Sequence, residues 1–208
     1  SECPMYTNAL GVAFTEWGYT SCRSIGDSPG DMGDALSVVD LGVGRTAQRI
    51  FTGSTSCCVI LDDESVKCWG SLKGVWDTSH KTVPTEVDFG SGIKTIFLGG
   101  DFTNVLYDDG SLQQLGANNA GQEAPVMLNL GTGRTVKSLP GGFSKYHNCA
   151  ILDDQSVKCW STDSVNGGYY GVLGLGDYFN RGYNDGEMGD NLPTVNLGAE
   201  RSAKSMYV

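Results

Sequence analysis

Short apolar runs separated by turn-forming residues make up most of this chain. In "CVILDDESVKCW" at 58–69, one apolar run ends at Leu61, an acidic turn follows, and a second run leads to Trp69. Two such runs joined by a tight turn predict a β-hairpin. Val, Ile, Thr and aromatic residues are scattered among 30 glycines, and stretches rich in Ala, Leu, Glu and Lys are almost missing. The pattern therefore predicts an all-β fold.

The hairpin pattern recurs along the chain. "CAILDDQSVKCW" at 149–160 repeats it closely, "NVLYDDGSLQQLG" at 104–116 repeats it without the cysteines, and "VAFTEWGYTSCRS" at 12–24 is a fainter copy. Separations of 46, 46 and 45 residues relate the first positions of the four copies, which are Val12, Cys58, Asn104 and Cys149. A period of this length with several short strands is typical of a propeller blade. We therefore predict a β-propeller of four repeat units of about 45–65 residues, with hairpins centred near 17, 63, 109 and 154.

The two ends of the chain are out of phase with the repeat. "AERSAKSMYV" at 199–208 matches the start of a unit, in which a Gly-rich turn leads into a strand, but no hairpin follows it. Pairing this strand with the N-terminal blade would close the ring, so we predict one domain over 1–208. The alternative is a fragment or subunit whose open edges pair with other copies. Because proteins normally cover exposed strand edges, the sequence favours closure.

Cysteines flank two of the hairpins. A turn about Asp63 places Cys58 directly opposite Cys68, and the same arithmetic about Asp154 pairs Cys149 with Cys159. Opposed residues in an antiparallel pair have Cα atoms about 4.5–5.5 Å apart, which a disulfide accepts. Four free buried cysteines or a zinc site are the alternatives, although zinc ligands favour closer spacing in sequence. Disulfides are the favoured interpretation.

Three cysteines remain. Cys22 holds the second cysteine position of the first unit, whose first position is Val12, so Cys3 is its candidate partner. Cys57 is then left over, and an odd cysteine in a secreted protein suggests a bond between chains or a free thiol. Successive residues of a strand face opposite sides, so Cys57 could instead be buried away from the Cys58 staple.

The motifs resemble a known family, the repeats of the regulator of chromosome condensation. "GANNAGQ" at 116–122 is similar to its Gly-x-Asn-x-x-Gly-Gln turn, and 141–160 is similar to its glycine, histidine, apolar strand, acidic turn and tryptophan strand. "GVLGLGD" with "GEMGDNLPTVNLG" resembles secreted, cysteine-bearing variants. The resemblance covers about 12–208. It implies propeller blades, and it implies a binding role through extracellular members that act as inhibitors or recognition modules.

Two departures from the family limit what the resemblance implies. The family usually closes seven blades, whereas this chain holds four units. The nuclear nucleotide-exchange activity is not carried over, because this chain is acidic, cysteine-rich and short and no residues match that activity.

Charge and composition restrict the partners. A net charge of -10 and a pI near 4.5 disfavour nucleic acid and anionic lipid as ligands. The sequence contains no run of eighteen apolar residues, so it predicts no membrane span. The start at Ser1 without a methionine or apolar leader, together with the cysteine usage, predicts a secreted, extracellular protein.

Catalytic residues are sparse. Of the two histidines, His147 lies near Ser144 and Asp153 and suggests a hydrolase triad, but its repeat position predicts a structural role in a blade. The acidic turns could bind calcium, although Asp and Gly are also what a hairpin turn requires. Trp69 and Trp160 are expected to pack between neighbouring blades. We predict no enzyme activity, no cofactor and no metal.

The least repetitive stretch, 161–187, is the candidate binding region. It is about twenty residues longer than its counterparts and carries aromatic residues and an arginine, the kinds of side chain that dominate protein interfaces. These are Tyr169, Tyr170, Tyr178, Phe179, Arg181 and Tyr183. The alternative is a loop that packs back on its own blade. We predict a non-catalytic recognition module for a protein or a glycan. The second hypothesis is a structural subunit of an extracellular filament or coat, which assembles through open blade edges and Cys57.

Overall fold

The computed structural model describes residues 6–7, 13–14, 29–30, 32–76, 79–116, 125–141, 147–161, 171–182 and 184–207. Regular structure in these ranges consists of β-strands and short 3₁₀ turns, among them Gly33–Ala35 and Gly189–Asn191. They contain no α-helix, which confirms the all-β prediction, and hence no helix that could cross a membrane. The chain divides into two compact units, Ser1–Leu72 with Trp76–Phe89, and Lys73–Val75 with Gly90–Val208.

The first unit contains a four-stranded antiparallel sheet with its strands in sequence order. Before the sheet, β1 (Tyr6–Thr7) pairs with β2 (Ala13–Phe14). The sheet itself is formed by β3 (Ala47–Thr52), β4 (Ser56–Leu61), β5 (Val66–Gly70) and β6 (Lys81–Val87). Every residue of β4 is buried. Because β1 supplies the strand beside β2, completion of the N-terminal blade by 199–208 stays a prediction.

The described residues of the second unit form two sheets. The first has the order β10-β9-β8-β7, with β7 (Ile93–Leu98), β8 (Phe102–Tyr107), β9 (Leu112–Gly116) and β10 (Val126–Met127). The next is formed by β11 (Val136–Ser138), β12 (His147–Leu152) and β13 (Val157–Ser161). Thr194 extends it by an antiparallel bridge to Lys158. Repeated small antiparallel sheets are what a propeller predicts.

The β4–β5, β8–β9 and β12–β13 hairpins share one turn geometry. The residue at the third turn position has a positive φ in each: 67° at Glu64, 81° at Gly110 and 68° at Gln155. The residue that ends the first strand donates its N–H across the turn to Ser65, Ser111 or Ser156. This shared geometry is the structural counterpart of the repeated acidic turn in the sequence.

Apolar side chains fill the junction between the two sheets of the second unit. Leu106 and Leu112 of the first sheet pack against Ala150, Leu152 and Trp160 of the next. Trp160 is fully buried there. This confirms that Trp160 packs between two neighbouring blades. Such burial is the main stabilising term for stacked repeats.

Candidate binding surface

Disulfides staple two of the hairpins, as their spacing predicts. Cys58 is bonded to Cys68 and Cys149 to Cys159, with Cα atoms 4.1 and 4.0 Å apart. Both pairs are directly opposed in their ladders. The position of each bond follows from the symmetric turn, because the register of a hairpin is set by its loop.

The hairpin of β8 and β9 has Asn104 opposite Gln114 at the same position. Asn104 Nδ2 donates to Asn148 Oδ1 at 2.8 Å, and Asn148 Nδ2 lies 3.5 Å from Gln114 Oε1. Trp160 Nε1 donates to the same Gln114 oxygen at 3.1 Å. All four residues are buried. The sequence showed that both cysteines are replaced together, but not that their replacements bond to the next sheet.

Cys57 is bonded to no other described cysteine. It is 0% exposed, and burial raises the pKa of its thiol to about 12. A bond between chains would require this sulfur to reach the surface. Cys3 and Cys22 lie outside the described residues, so their predicted pairing remains untested.

The acidic turns are explained by contacts within the fold. Asp63, Asp109 and Asp154 each accept hydrogen bonds from the N–H and hydroxyl of the serine two residues later. These bonds lower the pKa of each carboxyl. Arg45 and Arg134, from the Gly-rich turns, form ion pairs with the acidic turns that follow them. Within the described ranges no cluster of three or more His, Cys, Asp or Glu side chains could hold a metal.

His147 lies half-buried at the start of β12, and burial lowers its pKa. Asp153, the proposed third member of the triad, accepts a hydrogen bond from the Thr135 N–H at 3.2 Å and pairs with Arg134 at 3.4 Å. Its carboxylate therefore supports the turn. Ser144 is outside the described residues.

The stretch 171–182 presents two aromatic rings to solvent. Tyr178 is 77% exposed and Phe179 is 72% exposed. Arg181 donates to both carboxylate oxygens of Asp177, at 2.8 and 2.6 Å, and its guanidinium carbon lies 6.0 Å from the centre of the Phe179 ring. The Phe179 N–H also donates to Asp177 at 3.0 Å. This bidentate clamp lowers the pKa of Asp177 to about 2, chiefly through the Arg181 hydrogen bonds.

Buried contacts at both ends fix this segment to its sheet. Leu173 is buried against the cluster that includes Cys149 and Cys159. The Ser161 N–H of β13 donates to the Arg181 carbonyl at 2.7 Å. Gly182 has φ +90°, and a Cβ there would lie 2.6 Å from the Trp160 Cβ, so only glycine fits. We name 171–182 with its exposed Tyr178 and Phe179 the aromatic loop.

The structure places the other predicted binding residues as follows. Tyr178 and Phe179 are exposed together, whereas Arg181 has an internal partner in Asp177. The i, i+4 spacing of these two charges was visible in the sequence. Tyr169, Tyr170 and Tyr183 lie outside the described residues. The backbone of this stretch packs on its own blade while two rings point outward, and binding of a partner by these rings stays a prediction.

The acidic segment after the aromatic loop is bound into the fold. Glu187 accepts from the Gly182 and Asn184 N–H groups at 3.0 and 3.1 Å. Asp190 accepts from the Thr132 N–H and hydroxyl at 2.8 and 2.6 Å. Glu187 therefore binds the end of the aromatic loop, and Asp190 holds the segment to the Gly-rich turn before β11.

No protein-family model matches this chain, and neither does any curated protein sequence. Solved structures do match. Human WBSCR16 is 18% identical and aligns with 80% of this chain and 44% of its own, with a TM-score of 0.57. Prp20p from Saccharomyces cerevisiae, studied for its binding to Gsp1p and histones, is 18% identical over 74% of this chain and 39% of its own, with a TM-score of 0.56. Yeast RCC1 (Prp20) with Kap60 bound aligns similarly, at 18% identity, 74% and 38% coverage and a TM-score of 0.54.

This chain therefore spans about two fifths of the length of the structures it matches. At such low identity the likeness establishes the fold. The sheets have the RCC1-like β-propeller fold, as the repeats in the sequence predict.

Proposed function

We propose that this chain, whose sheets have the RCC1-like fold, is a secreted, non-catalytic module that binds a protein partner through the aromatic loop. The observation that carries the proposal is the exposure of Tyr178 and Phe179 on a segment fixed at both ends. Large rings held rigidly in solvent lose little entropy when they bind, and aromatic residues dominate the energetics of interfaces.

Two further observations support a protein partner. Prp20p, which shares this fold, binds Gsp1p and histones. The net charge of -10 disfavours nucleic acid and anionic lipid as ligands of this chain. Secretion is supported by the two disulfides, which persist in oxidising compartments.

The proposal also includes closure of the propeller into a ring. The Ala203 N–H donates to the Gln155 carbonyl of one hairpin, as the Val136 N–H donates to the Gly110 carbonyl of the hairpin before it. Residues 199–208 therefore start a further unit, and we propose that the first hairpin, 12–24, completes it. This requires 199–208 to take the place beside β2 that β1 holds here. Removing 199–208 should then speed amide exchange within 12–24, and unchanged exchange would refute closure.

The alternative function, a subunit of a filament or coat, keeps one sequence argument in its favour, the out-of-phase ends. Because Cys57 is buried, it supplies no covalent link between copies of the chain. Light scattering across a concentration series separates the two functions, since the binding module stays a monomer and the subunit forms larger species as concentration rises.

Affinity capture from the extracellular fluid of the native source tests the binding proposal. The bait proteins are the wild type, a Tyr178→Ala/Phe179→Ala double variant, and Val43→Ala as a control, because Val43 is fully exposed and lies outside both the aromatic loop and 199–208. We expect one set of proteins to be retained by the wild type and the control and lost from the double variant. Equal retention by all three baits would refute the role of the aromatic loop, and retention abolished by free sugars would assign it to a glycan.

A further inference from the structure

The first unit contains an open groove beside the sheet of β3–β6. It is a cavity of about 510 Å³ that is lined by Lys67 and Trp69 of β5, by Val83 of β6 and by the segment 36–40. Val38 and Val83 are 94% and 63% exposed, so the groove presents apolar side chains to solvent. An exposed apolar patch rimmed by polar groups is typical of a binding surface. We name it the Lys67 groove.

The repeat gives this groove an equivalent in the second unit. Lys67 and Trp69 flank the second cysteine of one stapled hairpin, as Lys158 and Trp160 flank that of the other. The Gly-rich turns beside the two lysines also share their geometry, because the third residue of each donates its N–H to the side chain of the first, at 2.8 and 2.9 Å. The two units therefore build the same framework around the groove.

In the second unit a turn of the chain itself fills this place. The turn has the sequence Met-Gly-Asp at 188–190, and its Gly189 carbonyl accepts from Lys158 Nζ at 2.8 Å. Its methionine packs against the cluster that contains Trp160. Burial lowers the pKa of Lys158, and the nearby carboxylate of the turn partly offsets this effect. The occupant thus supplies an apolar side chain, a carbonyl and a negative charge.

The first unit has an extended strand where the second has this turn. Counted back from the Gly-rich turn that follows, Thr82 of β6 holds the place of Asp190, so the groove has no carboxylate at this position. Lys67 Nζ donates to the Leu41 carbonyl at 2.9 Å. An ammonium group has three N–H donors, so this bond leaves Lys67 able to donate to a ligand as well.

The Met-Gly-Asp turn forms without a groove around it. The same sequence recurs at 32–34, where Met32 is 60% exposed. Gly33–Ala35 is nevertheless a 3₁₀ turn, in which the Leu36 N–H donates to the Gly33 carbonyl at 3.1 Å, and the docked turn of the second unit has the corresponding bond at 3.3 Å. A segment with this sequence is preorganised, and preorganised ligands lose less entropy on binding.

We propose that the Lys67 groove binds a turn of a partner protein with the sequence apolar-Gly-Asp, as the second unit binds its own 188–190. The glycine carbonyl accepts from Lys67, and the aspartate carboxylate lies near the same ammonium group. The apolar side chain packs against Trp69 and Val83. This site belongs to the first unit and is independent of the aromatic loop.

A synthetic peptide tests the groove. Its sequence is that of 186–192, Gly-Glu-Met-Gly-Asp-Asn-Leu, with acetylated and amidated ends. NMR titration into the isotope-labelled full-length protein detects even weak binding and should shift the amide signals of Gly42, Lys67 and Trp69. The same peptide with asparagine in place of its aspartate should bind at least about 10-fold more weakly, since it loses the charge. Binding that leaves these three signals unchanged, or no binding, overturns the proposal.

Variants of the protein identify the groups that bind the peptide. Lys67→Met keeps most of the side chain and removes its charge, so we expect at least about 10-fold weaker binding. Lys137→Met is the matched control, because Lys137 is an exposed lysine of the second unit. Val83→Glu places a negative charge at an exposed position of the groove and should weaken binding too. If Lys67→Met fails to fold, Val83→Glu still decides, and wild-type affinity in the folded variants overturns the proposal.

A second copy of the chain also presents the turn, at 32–34. Sedimentation of the wild type, Asp34→Asn and Lys67→Met separates this occupant from a foreign partner. A monomeric wild type that binds the peptide supports the proposal. A wild-type dimer that is lost in both variants assigns the groove to a second copy and overturns it.

Discussion

The indole N–H of Trp160 donates to the side-chain oxygen of Gln114 at 3.1 Å, across the junction of two sheets. Both side chains are fully buried. The same oxygen lies 3.5 Å from Asn148 Nδ2. One glutamine thus serves two donors of the next sheet, at the place where the two stapled hairpins carry half of a disulfide.

Replacing Gln114 should cost substantial stability. Gln114→Ala leaves the Trp160 and Asn148 donors unpaired in the core and opens a cavity, so we expect a loss of about 2–4 kcal/mol in the free energy of unfolding. Urea denaturation measures it. Gln113→Ala is the matched control, since Gln113 is half-buried on the other face and should cost less than about 1 kcal/mol. Equal losses in both variants would show that the junction network contributes little.

A third staple can be engineered where the network now lies. Asn104 and Gln114 are directly opposed, as the natural cysteine pairs are, so Asn104→Cys/Gln114→Cys should oxidise completely. Loop closure alone would stabilise the oxidised form by about 3 kcal/mol. We expect the double variant to gain less than this over the wild type, because Trp160 and Asn148 lose their acceptor. Unfolding of the oxidised and reduced forms separates the two effects, and a full gain would contradict the importance of the amides.

The staples and the junction network differ in how far the sequence determines them. Cys58 and Cys68 are opposed because the intervening turn sets the register locally, so ten residues of sequence suffice to predict the bond. The contact of Asn148 with Gln114 depends on how two sheets stack, and that of Asp190 with Thr132 joins residues 58 apart. The partner that each of these side chains contacts is set by the packing between sheets, which the local sequence does not encode. The exposure of Tyr178 and Phe179 likewise depends on Leu173 and Gly182, whose packing partners come from other strands.

Gly110 should be harder to replace than Gly133, a glycine in another turn. Its φ of +81° is strained for any other residue, and an added Cβ would lie 2.7 Å from the Thr135 Cβ. Gly133 has a similar φ of +69° but open space around it. We expect Gly110→Ala to destabilise the fold by at least about 1 kcal/mol more than Gly133→Ala, since both share the backbone strain. If thermal or urea unfolding shows equal losses of stability in the two variants, backbone strain alone accounts for the destabilisation, and the contact with Thr135 adds nothing.

Acid should loosen the aromatic loop before it unfolds the sheets. The pKa of Asp177 is lowered to about 2 by Arg181, against about 3.9 in an unfolded chain. The stability that the Asp177–Arg181 clamp gives to the loop is therefore fully present above about pH 4 and is lost as the pH falls toward 2. Side-chain NMR signals of Tyr178 and Phe179 should shift in this range, and Asp177→Asn should remove that transition. A transition that persists in the variant would assign it to another group.

The affinity of the captured partner for the aromatic loop is the most direct test of the proposed function. Removing two exposed aromatic anchors should weaken binding by about 2–4 kcal/mol, or roughly 30- to 1,000-fold. Isothermal titration of the partner into Tyr178→Ala/Phe179→Ala should show this loss, while the exposed control Val43→Ala binds like the wild type. If the double variant binds with wild-type affinity and its unfolding curve is unchanged, the partner contacts another surface and the account of the aromatic loop is wrong.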